Sequence, residues 1–85
     1  MANYSIEVRK SAAKEIAALP KDDCQHVVQK IQALASDPRS HGAEKLSGAS
    51  KYRIRHGDYR VLYEIDDKQK RITVVRVAHR REIYR

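Results

Sequence analysis

Eighty-five residues with 41% hydrophobic content leave room for one small domain, near the lower size limit for a self-sufficient core. The single cysteine, Cys24, excludes an intramolecular disulfide and a multi-cysteine metal site, and no apolar run approaches the length of a signal peptide or a membrane span. A reducing cytoplasm is therefore the expected setting, with no membrane partner. The formal charge of +7 is uneven: residues 1–50 carry seven Lys/Arg against six Asp/Glu, and residues 51–85 carry eleven against five. That asymmetry places the working surface in the second half and favours a polyanionic partner, nucleic acid before an acidic protein.

Along the chain, Tyr4, Ile6 and Val8 alternate with polar residues, which predicts a short strand with one buried face. From about Ser11 the period lengthens: Ala12, Ala13, Ile16 and Leu19 form a narrow helical stripe that Pro20 stops. Pro20 then suits the first position of a second helix, with Asp22 and Asp23 in the first turn, where carboxylates favour the helix dipole. Cys24, Val27, Val28, Ile31, Leu34 and Ala35 continue at helical spacing until Asp37-Pro38, so the two helices should form a hairpin over a sheet, with Cys24 as a buried structural thiol. The exposed side of the second helix, including His26 and Lys30, offers no chemistry. Residues 39–50 are rich in Gly, Ser and Ala and read as a connecting loop.

The stretch Lys51–Tyr63 reads as a β-hairpin: Tyr52 and Ile54 alternate with Arg53 and Arg55, and Tyr59, Val61 and Tyr63 alternate with Arg60 and Leu62. With the turn at Gly57-Asp58, Ile54 faces Val61, Tyr52 faces Tyr63, and Arg55 faces Arg60. With the turn at His56-Gly57, Arg53 faces Arg60 instead. Like charges opposed across a sheet are destabilising, so a fold that keeps them is expected to present them to an anion. Glu64 shares strand parity with Arg60 and is read as its structural partner. Asp66–Lys70 then marks a polar turn, and Arg71–Ala78 is a β-branched run suited to an interior strand. The tail, His79 to Arg85, is dense in phosphate-binding and proton-transfer groups.

Three segments carry a family resemblance: Tyr-Arg-Ile-Arg (Tyr52 to Arg55), Gly-Asp-Tyr-Arg-Val-Leu-Tyr (Gly57 to Tyr63) and His-Arg-Arg-Glu-Ile-Tyr-Arg (His79 to Arg85). Together with the element order they resemble the RelE branch of the RelE/ParE superfamily of bacterial and archaeal toxins, over essentially the whole chain. The resemblance implies an α+β, RelE-like fold of order β-α-α-β-β-β: a mainly antiparallel sheet with the helical hairpin on one face and a basic opposite face. It also implies a toxin that cleaves messenger RNA in the ribosomal decoding site, uses no metal or other cofactor, and is neutralised by a RelB-like antitoxin in a hetero-oligomeric complex. The family's functional positions match Arg53, Arg55, Arg60, Arg80 and Tyr84. Arginine stands on the Tyr52–Arg55 strand where several members carry lysine, and the spacing from Arg80 to Tyr84 is shorter than in some members.

Metal-free RNA cleavage uses the substrate's own 2′-hydroxyl, so a site must take its proton, stabilise a phosphorane and protonate the leaving 5′-oxygen. Guanidinium groups suit the middle task because they are planar, permanently charged and able to grip two phosphate oxygens. They make poor bases, which leaves His79, the neighbouring group that titrates near neutrality, and Tyr84 for proton transfer or base stacking. Lys51, Arg76, His79 and Arg81 are expected to bind the RNA around the catalytic set. Two rival readings share the same basic face: a ParE-like inhibitor of DNA gyrase without nuclease activity, and a non-catalytic RNA- or ribosome-binding module.

Overall fold

Alternation of apolar and polar side chains over Ser5–Val8 gives strand β1, and the computed structural model, which describes residues 3–40, 42–46 and 50–83, then switches to helix. Helix α1 (Lys10–Ala17) begins after an extended Arg9 and ends where the Leu19 N–H closes back on the Ile16 carbonyl, one residue before Pro20. Helix α2 covers Lys21–Ala33, with Asp22 and Asp23 in its first turn. Pro20 stands one position earlier than its sequence suggests. It is the extended N-cap (φ −53°, ψ 149°), and its carbonyl accepts the Cys24 N–H at 2.8 Å, so the missing proline N–H costs the helix nothing.

Strands β2 (Glu44–Lys45), β3 (Lys51–His56), β4 (Tyr59–Asp66) and β5 (Arg71–His79) follow, and a four-residue helix, α3 (Arg80–Ile83), closes the described chain. The sheet order is β1-β5-β4-β3-β2, antiparallel except where β1 runs parallel to β5. Residues 39–50 are thus more than a loop: Glu44 and Lys45 pair with Arg53 and Tyr52 and add a fifth strand at the edge. Between β4 and β5 the register passes from Leu62–Arg76 to Tyr63–Val74, which leaves Val75 as the extra residue of a bulge.

The helices pack on one face of the sheet. Ala12 from α1, and Val27, Ile31 and Leu34 from α2 and its C-cap, meet Tyr52, Ile54, Val61, Tyr63, Ile65, Ile72, Val74 and Val77 from β3, β4 and β5. Tyr52 and Tyr63 stack at 5.9 Å, and the Tyr63 hydroxyl, its pKa pushed up to about 12 chiefly by burial, donates to the Pro38 carbonyl at 2.7 Å. Cys24 is half-buried rather than fully enclosed. No helix among the described residues is long and apolar enough to cross a membrane.

A polar clamp fastens the α2–β2 connection to the β4–β5 turn. Asp67 accepts from the Tyr4 hydroxyl (2.6 Å) and from both terminal nitrogens of Arg39 (3.1 and 2.8 Å), while Arg39 Nε donates to the Tyr52 hydroxyl at 3.0 Å. These bonds, Arg39 first and Tyr4 second, lower the Asp67 carboxyl from 3.8 to about 2. A carboxylate depressed on folding contributes stability above its unfolded pKa and loses it as pH falls through the folded value. Unfolding midpoints of the wild type and Asp67→Asn should therefore differ at pH 5 and converge as pH falls from about 4 to about 2. A gap that is the same at pH 5 and pH 2 would contradict this assignment.

Candidate functional site

On β3, Tyr52 and Ile54 point into the core, so the pleat sends Lys51, Arg53 and Arg55 to the face opposite the helices. On β4, Val61 and Tyr63 likewise point inward and leave Arg60, Leu62 and Glu64 on that opposite face. The turn falls at Gly57-Asp58, with Gly57 at φ 56°, and of the two registers the sequence allows, it selects the one with Arg55 directly across from Arg60. Helix α2 braces this hairpin. Lys30 Nζ donates to the Arg55 carbonyl at 2.7 Å, Asp23 lies 3.0 Å from His56 Nε2, and the His26 ring stacks on His56 at 5.2 Å. Lys30 and His26 therefore support the site, although their sequence context reads as an inert helical surface.

Arg60 is the centre of the cluster and is only 9% exposed. Its Nη1 donates to the Gly57 and Tyr59 carbonyls, both at 3.1 Å, and so ties the guanidinium to the turn, while its Nε is buried with no acceptor among the described residues. Burial first, then the charges of Arg55, Arg53 and Arg80, lower the proton affinity of Arg60, with Asp58 opposing them. The three neighbouring positive charges that disfavour a fourth favour an incoming anion. Arg80 joins through its backbone: its N–H donates to the Asp58 carbonyl at 2.7 Å, docking the start of α3 on the hairpin turn, and its side chain stays 57% exposed.

The Asp58 carboxylate lies between Arg80 (Nε at 3.8 Å) and His79 (Nε2 at 3.9 Å). Nδ1 of His79 accepts the Arg81 N–H at 3.2 Å, which puts the proton of the neutral ring on Nε2, toward the turn. The Tyr59 ring meets His79 edge-on at 5.8 Å. His79 is thus held in one tautomer beside the arginines, the condition a proton-transfer group needs.

Arg53, Arg55, Arg60 and Arg80 are brought together. Lys51 lies on the same face, paired across the ladder with Glu64, and Arg81 is exposed on α3. Arg76 is turned away: its Nε lies 3.4 Å from Glu15 of α1, whose other oxygen takes the Val77 N–H at 2.8 Å. Glu64 is not the partner of Arg60, as its strand parity suggested; its carboxylate lies 3.9 Å from Arg9, and the acids whose charges reach Arg60 are Asp58 and Glu44. Tyr84 lies outside the described residues. Among the described residues no group of three or more His, Cys, Asp or Glu side chains is placed to hold a metal ion.

The sequence reading missed Glu44. From β2 its carboxylate takes Arg53 on one oxygen and Arg55 Nη2 at 3.1 Å on the other. Arg53 above all lowers the Glu44 carboxyl. A two-residue strand is too short to show a period, so the only signal was compositional: a lone acid in a Gly/Ser/Ala-rich segment just before a run of cations.

Residues 6–84 match the family model described as the ParE toxin of type II toxin-antitoxin system, parDE. Toxin RelG of Mycobacterium tuberculosis is 31% identical over 86 aligned positions, covering 96% of this chain and 97% of that protein. The RelE chain in the archaeal RelE-RelB complex from Pyrococcus horikoshii superposes with a TM-score of 0.84 at 28% identity, covering 96% of this chain and 99% of that one. A chain of the toxin-antitoxin complex RelBE2 from M. tuberculosis gives a TM-score of 0.80 at 28% identity, covering 91% of this chain and 98% of its own.

Proposed function

Because the chain belongs to the family of ParE toxins of type II toxin-antitoxin systems, and is similar over its whole length to toxins named RelE and RelG, we propose that it is a ribosome-dependent endoribonuclease that cuts messenger RNA in the decoding site. The observation that carries the proposal is the convergence of Arg53, Arg55, Arg60 and Arg80 on one open face, with His79 oriented at its edge. In this reading the substrate's 2′-oxygen forms a bond to phosphorus, the bond from phosphorus to the 5′-oxygen breaks, and the products are a 2′,3′-cyclic phosphate and a 5′-hydroxyl. Arg53, Arg55 and Arg80 hold the non-bridging oxygens as charge develops. Arg60, tied to the turn, supplies a fixed positive potential beneath them. His79 exchanges the proton with the 2′-hydroxyl or the leaving oxygen, with Tyr84 as the other candidate. Lys51 and Arg81 track the flanking phosphates, and Arg76 joins them only by leaving Glu15.

Guanidiniums stay protonated and cannot take the 2′-hydroxyl proton, so much of the rate falls to orientation, and a ribosome that holds the message supplies it. Acting on ribosomes places the protein in the cytoplasm. The solved RelE-RelB complexes of P. horikoshii and M. tuberculosis support a RelB-like antitoxin as partner, one that brings acidic and apolar residues to the basic face in a hetero-oligomer.

The family's ParE description favours one other reading, a gyrase-directed inhibitor that cuts no RNA. The two separate in a cleavage assay that compares free messenger with the same messenger on ribosomes with an empty decoding site, chelator present throughout. Cuts confined to the decoding-site codon of ribosome-bound messenger are expected. Intact messenger in both settings, from folded protein, would overturn the nuclease reading.

A further inference from the structure

The carboxylate of Glu44 bridges two of the arginines assigned to the substrate phosphate. Each of its oxygens meets a different guanidinium, Arg53 and Arg55, which is the arrangement two non-bridging phosphate oxygens would adopt on the same pair. The placement is built in by the backbone: β2 is held to β3 by the Glu44–Arg53 and Lys45–Tyr52 pairs, and the Leu46 N–H donates to the Lys51 carbonyl at 2.9 Å. The Arg55 arm of the contact is open to water, with Glu44 and Arg55 keeping about half of their side-chain surface exposed (47% and 53%), where ion pairs are weak; Arg53, 14% exposed, holds the carboxylate more firmly.

We propose that Glu44 is a built-in competitor for the RNA phosphate, a side chain that must leave Arg53 and Arg55 before substrate can take them. This inference rests on reading the arginine face as an RNA site. In the free protein the carboxylate offsets the repulsion among Arg53, Arg55, Arg60 and Arg80. A phosphate that reaches Arg80 as well as the Glu44 pair, above the fixed charge of Arg60, makes more contacts than the one carboxylate it replaces. A free, flexible RNA must order itself to make those contacts, whereas a message already held in place does not. Displacing Glu44 costs both the same, so loose RNA, which also has to order itself, is the first to lose occupancy.

The test uses a fluorescent single-stranded RNA oligonucleotide with 2′-O-methyl groups throughout. It cannot be cut, so the result does not depend on whether the protein is a nuclease. Glu44→Gln keeps the shape and the strand and removes the charge. It should tighten binding about tenfold or more, and steepen the fall of log K with log salt by about 1, as freed guanidiniums displace further counterions. Glu7→Gln removes an acid paired with Arg71 at 3.7 Å on β1 and should change affinity less than about twofold. Unchanged or weaker binding by Glu44→Gln, or an equal gain from Glu7→Gln, would overturn the proposal. The unaltered protein gives an independent readout: the carboxyl carbon resonance of Glu44 should shift as the oligonucleotide is added, and a resonance that stays fixed at saturation would also overturn it.

Discussion

Arg80→Ala is expected to slow decoding-site cleavage by about 10²- to 10³-fold while leaving the fold intact, because one donor to a developing oxyanion is commonly worth about 2.7 to 4 kcal/mol of barrier. The separation of the two effects follows from how Arg80 is held. Its backbone N–H, which docks α3 on the Asp58 carbonyl, survives the substitution. The lost side chain is more than half exposed, and its ion contact with Asp58 is a loose 3.8 Å, so the cost in stability should stay below about 1 kcal/mol. Arg80→Lys keeps the charge but not the planar fork and should recover only part of the rate. Single-turnover cleavage on programmed ribosomes, read beside a urea melt, checks both halves. A rate within threefold of wild type would remove Arg80 from the catalytic set, and a large drop in stability would make it a structural residue.

Ile72→Ala should have the largest effect on the fold. Ile72 is fully buried on β5, in register with Ile6 of β1 on one side and Ile65 of β4 on the other, so its truncation opens a cavity between the parallel β1–β5 pair and the centre of the sheet. Such truncations cost about 2 to 5 kcal/mol, against a total of about 4 to 13 kcal/mol for a domain of this length. Urea unfolding should show that loss, with cleavage per folded molecule unchanged, since Ile72 lies at the opposite end of β5 from His79. A loss under about 1 kcal/mol would mean that the core relaxes into the space.

Where the side-chain period is strict, the fold was legible in the residues. Alternation along Tyr52–Arg55 and Tyr59–Tyr63 defines two faces, and once Gly57 takes its left-handed conformation the pairs Tyr52–Tyr63, Ile54–Val61 and Arg55–Arg60 follow. The β-branched run from Arg71 does form an interior strand. Where contacts are tertiary, the residues gave less. Glu44 and Lys45 become a strand only because β3 offers a free edge, and Glu44 matters only because that edge places it over two arginines. Parity put Glu64 on the face of Arg60, but parity does not fix distance along a strand, and Glu64 reaches Arg9 instead. Charge alone placed Arg76 with the RNA-binding set, whereas the Val77 N–H, beyond the last β1–β5 pair, holds Glu15, which also takes Arg76. Pro20 was misplaced by one residue because its carbonyl, not its ring, defines the helix start.

The arginine face is expected to promote attack by the substrate's own 2′-hydroxyl, and the ends of the cut message test this most directly. Messenger cleaved on ribosomes by the purified protein should carry a 5′-hydroxyl on the downstream fragment and a 2′,3′-cyclic phosphate on the upstream one. A 5′-phosphate with a 3′-hydroxyl would mean that water is the nucleophile, and the account of this site would fail.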